Sequence, residues 1–321
     1  MSSLIEQAAQ RLAQLRQAGV EIPGDEAPAQ APTPISTPSV DAAPPQAVGR
    51  ASVPRGEPVV TSRRVDLDLQ ALQAAGIVTP NAPRTNIADQ FRVVKRPLIL
   101  NAMGKGAAPV NHGNLIMVTS ALSGEGKSFT SVNLAMSIAA ELDHTVMLVD
   151  ADVARPSVLR MLGLPPGPGL LDLLEGRAEM SDVLLRTNID KLTVLPSGTP
   201  HPRATELLAS DAMRQLLADM ASRYADRIII FDSPPLLLTT ESRVLASHMG
   251  QIVVVVHAGK TLQADVQHAL STIEACPVKL MLLNKATSQI HGSYGYGGYG
   301  YGYGYGYGAP EARAAQPSDP A

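Results

Sequence analysis

Leu115-Ile-Met-Val-Thr-Ser-Ala-Leu-Ser-Gly-Glu-Gly-Lys-Ser128 is the stretch on which the fold turns. It opens with a short apolar run, Leu115 to Val118, and closes with the loop Ala121-Leu-Ser-Gly-Glu-Gly-Lys-Ser128. Helix-compatible sequence follows from Ser128 to Leu142. A strand feeding a glycine-rich turn that opens a helix is the setting in which this spacing of Gly, Lys and Ser means phosphate binding. Backbone N–H groups of such a loop point inward at phosphate oxygens, and the positive end of the helix adds to the attraction. Ser123, Gly124, Glu125, Gly126, Lys127, Ser128 and Phe129 are therefore the predicted nucleotide-binding residues. Lys127 is placed to reach the β/γ-phosphates and the Ser128 hydroxyl to meet Mg²⁺, so ATP and Mg²⁺ are the expected cofactors. The pattern's first glycine is Ala121 here.

Outward from the loop, short apolar runs alternate with longer amphipathic stretches. The runs are Leu115 to Val118, Val146 to Val149, Leu192 to Leu195, Ile228 to Phe231, Ile252 to Val256 and Lys279 to Leu283. Between them lie helical patterns at Ser128 to Leu142, Ala204 to Tyr224, Glu241 to His248 and Leu262 to Glu274. Continuous apolar runs suit strands buried on both faces, and strands alternating with helices predict an α/β fold, a P-loop NTPase-like parallel sheet flanked by helices. Four segments are expected. Residues 1–20 hold a short amphipathic helix, with Leu4, Ile5, Ala8, Ala9, Leu12 and Leu15 at helical spacing. Residues 21–84 form a Pro/Ala-rich linker containing a short helix within Val65 to Thr79. Residues 85–290 form the P-loop domain, and 291–321 a flexible Tyr/Gly-rich tail.

Bulk composition excludes several classes. A net charge of −3 and a pI of about 6.2 give no broad attraction for nucleic acid. A single cysteine, Cys276, forbids an intramolecular disulfide, and the seven histidines lack paired metal-ligand spacing. No apolar run approaches the roughly 20 residues of a membrane span. A cytoplasmic protein, peripheral at a membrane through a partner, is the expectation.

Two further acidic sites fall at strand ends, where open α/β sheets bind ligands. Asp150 and Asp152 close one apolar run, and Asp232-Ser-Pro-Pro235 closes another. Carboxylates there supply the hard oxygen ligands that Mg²⁺ needs beside phosphates. Asn284-Lys285 ends the last run, in a position to read the adenine base. Seven of the chain's eight tyrosines crowd into Ser293 to Gly308, namely Tyr294, Tyr296, Tyr299, Tyr301, Tyr303, Tyr305 and Tyr307. Glycine between them denies this tail a packed core. Phenols on such a chain are acceptors within reach of a phosphoryl-transfer site, so the P-loop and tail together predict an ATP-dependent enzyme that phosphorylates its own tail.

The three phosphate and acidic motifs in this order, with the tyrosine tail, resemble the bacterial tyrosine kinases of exopolysaccharide and capsule systems. The likeness covers roughly residues 85–308, and is greatest to soluble members associated with exosortase-type systems. It implies that Lys127 acts catalytically, that Ser128, Asp152 and Asp232 hold Mg²⁺, and that Asp150 accepts the tyrosine proton. The seven tail tyrosines become the phosphoacceptors. In that family a basic residue often follows the Asp-x-Asp-x unit directly, whereas here Ala154 takes that place and Arg155 comes next. The family's ring-forming Glu-x-x-Arg-x-x-Arg motif is similar to Asp89-x-x-Arg92-x-x-Lys95, with planar two-pronged pairing lost at the last position. A homo-oligomer, a membrane chain-length-determining (co-polymerase) protein as activator and a tyrosine phosphatase are the implied partners.

Two other classes fit parts of the same sequence. A partition or positioning ATPase shares the fold, but carries a second lysine at the loop position that is Leu122 here. Alternatively, the Tyr/Gly tail is a structural module for self-association, and the ATPase is an assembly switch.

Overall fold

Residues 62–80, 83–223 and 227–286 are described by a computed structural model. The expected helix at 1–20, most of the linker and the tail with its seven tyrosines lie outside the described residues, as does Tyr224. Each apolar run becomes a strand: β2 (Leu115–Ser120), β3 (Thr145–Asp150), β5 (Leu192–Leu195), β6 (Arg227–Asp232), β7 (Gln251–His257) and β8 (Val278–Asn284). Two short strands join them, β1 (Arg64–Val65) and β4 (Leu185–Thr187). The helices are α1 (Leu69–Ala74), α2 (Asn86–Ala102), α3 (Lys127–Ala139), α4 (Val158–Met161), α5 (Leu170–Leu174), α6 (Met180–Val183), α7 (Ala204–Leu208), α8 (Asp211–Arg223), α9 (Glu241–Ala246) and α10 (Gln263–Ser271).

The strands form one sheet in the order β1-β4-β5-β3-β6-β2-β7-β8. All ladders are parallel except β4 with β5. That exception follows from connection length, because residues 188–191 are too few for the crossover that parallel pairing demands. The central strands have no wet face. Leu115, Met117, Met147, Val149, Ile229 and Phe231 pack into one core, and Ile116, Val118, Val146, Leu148, Ile228 and Ile230 into the other. The period-two split of each run between opposite faces is why all its residues are apolar. Helices α2 and α3 cover the second face with Phe91, Leu98, Leu134 and Ile138, while α8 covers the first with Met213, Leu217 and Met220.

Ordered packing begins upstream of residue 85. Leu67, Leu72 and Ile77 are buried in the second core, and the Asn188 side chain both accepts from Leu67 N (3.1 Å) and donates to Leu67 O (3.0 Å). This two-way bond imitates a strand ladder and fixes a segment whose sequence reads as linker. The helical pattern from Ala204 breaks into α7 and α8 because Ser210 caps the second piece, its hydroxyl accepting from Met213 N. Gln251, fully buried on β7, ties α2 to the sheet: Nε2 donates to Leu98 O and Gly113 O, and Oε1 accepts from Asn101.

Candidate functional site

The phosphate loop leaves β2 and turns into α3. Gly124 and Gly126 have φ of +83° and +101°, the left-handed region that side chains resist. A Cβ on Gly126 would also stand 2.1 Å from Asn284 Nδ2. Ala121 is buried and keeps a negative φ, so the missing first glycine leaves the turn intact. No side chain caps the start of α3, which leaves its first N–H groups facing a cavity of about 500 Å³. Ser123, Lys127, Ser128, Asp152 and Arg155 line that cavity, with Pro235 on the far wall.

Strand register places the acidic residues. Asp150 and Asp232 are direct neighbours at the ends of β3 and β6, and β6 runs beside the P-loop strand β2. Asp152 follows on the loop after β3 and pairs with Lys127 at 2.5 Å, both side chains largely buried. Asp232 accepts from Ser131 Oγ (3.0 Å), while its Oδ2 is buried without a hydrogen-bond partner. Burial raises its carboxyl to about 6, against the pull of Lys127 and the hydroxyls of Ser128 and Ser131. Asp150 is pushed up to about 7, first by burial and then by the neighbouring Asp232 carboxylate. Its Oδ2 accepts from the backbone N–H groups of Ser157 and Val158, both at 3.0 Å, and Oδ1 is left unpartnered.

The back of the loop is clamped by contacts that the sequence did not reveal. Glu125 is buried. One carboxylate oxygen accepts from Leu122 N (2.7 Å), and the other from the Thr261 hydroxyl and from His257 N. Asn284 Nδ2 donates to Glu125 O (2.8 Å), Asn284 Oδ1 accepts from Lys285 N, and Lys285 Nζ donates to Gly124 O (2.8 Å). The Glu125 side chain thus holds the loop from behind. The Asn284 amide gives one N–H to the loop and accepts from the next backbone N–H, so it braces the P-loop and keeps a second N–H and a second lone pair for other partners. Lys285 is legible from its place just after β8, whereas Thr261, in the loop beyond β7, carries no local mark in the sequence.

Of the three residues grouped for oligomerisation, Asp89 and Arg92 form an exposed i,i+3 pair at 2.6 Å. Lys95 is corrected: it is turned into the fold, pairing with Glu141 (2.6 Å) and donating to Ser137 O at the end of α3 (2.6 Å). Helical geometry separates them, since the third member of an i, i+3, i+6 series turns away from the face of the first. The residues at and beneath the cavity fit Mg²⁺ on one observation, the buried Asp232 Oδ2 that no hydrogen bond satisfies. Among the described residues no three His, Cys, Asp or Glu side chains gather as a metal cage. A site completed by phosphate oxygens and water, the usual Mg²⁺ arrangement, needs no such cage.

Comparison with known proteins agrees with this geometry. A protein-family profile described as NUBPL iron-transfer P-loop NTPase matches residues 111–284. Tyrosine-protein kinase YwqD of Bacillus subtilis (strain 168) is 30% identical over 222 residues, covering 68% of this chain and 90% of its own. Tyrosine-protein kinase CpsD of Streptococcus agalactiae is 34% identical over 187 residues, 56% of this chain and 80% of its own. The solved VpsO kinase domain is similar in structure, with a TM-score of 0.51 and 28% identity, covering 63% of this chain and 100% of that one. The chain therefore belongs to the P-loop NTPases and, among them, to the bacterial tyrosine-protein kinases.

Proposed function

We propose that this kinase uses Mg-ATP to phosphorylate its own C-terminal tyrosine cluster, Tyr294, Tyr296, Tyr299, Tyr301, Tyr303, Tyr305 and Tyr307. The observation that carries the reading is the Lys127–Asp152 pair on the wall of the P-loop cavity, in a chain that also carries that cluster. The loop N–H groups and the start of α3 bind the β- and γ-phosphates. Lys127 leaves Asp152 for the phosphates when nucleotide enters. Ser128, Asp152 and Asp232 would hold Mg²⁺, which would neutralise phosphate charge. The free Oδ1 of Asp150, on a carboxyl near pH 7, accepts the proton of the attacking phenol. Asp150 does not line the cavity, so the loop from Asp152 to Ser157 opens to admit the acceptor.

The reading extends to setting. The kinase acts in exopolysaccharide or capsule synthesis and export, in the cytoplasm at the inner membrane. There a chain-length-determining co-polymerase activates it, and a tyrosine phosphatase resets the tail. Among the described residues no helix is long and apolar enough to cross a membrane. Asp89 and Arg92, exposed on α2, belong to the surface by which copies assemble. Incubating the purified chain with Mg-ATP and mapping phosphate tests the central claim: phosphate on the tail is expected, and an unmodified tail on an ATP-hydrolysing protein would refute it.

A further inference from the structure

The last strand is an unfinished edge. Among the described residues β8 pairs only with β7, so its outer side presents unpaired backbone groups. Met281 and Leu283 on one face are 65% and 64% exposed, and Val93 on the neighbouring α2 is 74% exposed. Between α2 and β8 runs a groove of about 640 Å³, walled by Gln90, Val93, Val94, Leu280 and Leu282. Natural sheets blunt such edges with charge, proline or a covering segment. Here the strip carries one charge, Lys279 near its start, and is apolar from Leu280 to Leu283.

Ala286 lies on the groove wall, and the chain continues from there to Ala321. Residues 286–310 contain no Asp, Glu, Lys or Arg, so they can enter an apolar groove without burying a charge. From Tyr299 to Gly308 the sequence is strictly Tyr-Gly. In an extended chain that period puts every tyrosine on one face and every glycine on the other. Gly297-Gly298 interrupts the alternation, as a bulge or bend does. Residues 287–298 are ample to reverse direction, and 299–307 at about 3.3 Å per residue span roughly 30 Å, enough to cover β8.

We propose that the unmodified tail docks on its own chain as a ninth strand, antiparallel to β8, with its tyrosines filling the groove against α2. Tethering at the groove wall gives the tail a local concentration in the millimolar range, ahead of any second copy. Each ring buries its body while its hydroxyl reaches water at the rim. Phosphorylation adds about −1.5 to −2 charges per tyrosine, which an apolar groove excludes, so modification releases the strand and bares the edge. The release step rests on the tail being the phosphoacceptor; the docking step does not.

Hydrogen exchange at β8 separates the possibilities. The phosphatase-treated full chain should exchange its 279–284 amides at least about tenfold more slowly than a chain ending at Ala286, at high and low protein concentration alike. Equal exchange overturns the docking. Protection that appears only at high concentration assigns the groove to a second copy and also overturns it. Val93→Glu, a change at an exposed position, should abolish the protection in the full chain, and its persistence would refute placement beside α2. Phosphorylated full chain should exchange like the truncated one, and protected β8 amides there would overturn the release. Failure of the tail to take phosphate would refute the acceptor role while leaving the docking measurement valid.

Discussion

Lys127 has two masters. Without nucleotide its ammonium rests on Asp152 at 2.5 Å, which keeps a largely buried charge compensated. On the proposed reading phosphate replaces that partner, so the same residue would both brace the loop and act on bound nucleotide. Lys127→Met should lower phosphate incorporation by orders of magnitude, because phosphoryl transfer depends almost wholly on positioning and electrostatics. Circular dichroism of this variant should stay native, and near-normal incorporation would displace the P-loop as the catalytic centre. The paired aspartates should separate by assay. Asp152→Asn should raise the Mg²⁺ requirement, whereas Asp150→Asn should slow transfer with ATP binding little changed. Identical metal titrations for the two variants would sink that division.

At the scale of elements, the P-loop is held from behind by β7 and β8. Thr261 fixes the Glu125 carboxylate and Asn284 fixes the Glu125 carbonyl. Neither contact faces the cavity, so loosening one should blur the N–H array rather than remove a catalytic group. Asn284→Ala is expected to raise KM for ATP several-fold with kcat less affected, and an unchanged KM would mean the loop keeps its shape without the clamp. A second joint links α2 to the end of α3 through Lys95 and Glu141. The hydrogen bond from Lys95 holds the Glu141 carboxyl below its ordinary value, despite partial burial. A lowered carboxyl contributes stability above the unfolded value near 4.5 and loses it as pH falls through the folded value. Glu141→Gln should therefore lower Tm at neutral pH and narrow its gap to the parent as the solution is acidified through that range. An equal gap at all pH values would mean the pair contributes packing alone. Lys95→Met should destabilise by about 1–3 kcal/mol in denaturant titration, the usual result of removing a buried hydrogen-bonded partner.

At the scale of the molecule, the proposed acceptor and the catalytic loop belong to one chain, so on that reading the tail must travel. From Asn284 to Tyr294 an extended chain reaches up to about 33 Å. A tail that leaves its edge transiently can thus enter a neighbouring copy, where modification prevents its return, and phosphorylation in trans within an oligomer is the expected route. Mixing a Lys127→Met full-length chain with an active chain lacking residues after Ser293 tests it. The inactive chain's tail should gain phosphate, and an unmodified tail on co-assembled chains would exclude the trans route. Seven phosphotyrosines carry on the order of ten or more negative charges. Light scattering should then show a smaller assembly after ATP than before.

The sequence by itself determined the fold and most of the site. Six apolar runs read as strands, five of them buried almost throughout and the sixth, β8, exposed at alternate residues on the sheet edge, and the Gly-Glu-Gly-Lys-Ser turn after the first of them reads as a phosphate loop. Asp150 and Asp232 were legible for the same reason, since strand ends are marked by local sequence. Contacts between distant segments stayed hidden. Asn188 capturing Leu67, Thr261 and Asn284 bracing Glu125, and Lys95 turning inward to Glu141 each join residues far apart in the chain. Local pattern records which way a residue faces its own helix or strand; only packing decides what it meets there, because hydrogen bonds and ion pairs form between whichever polar groups the close-packed core leaves side by side.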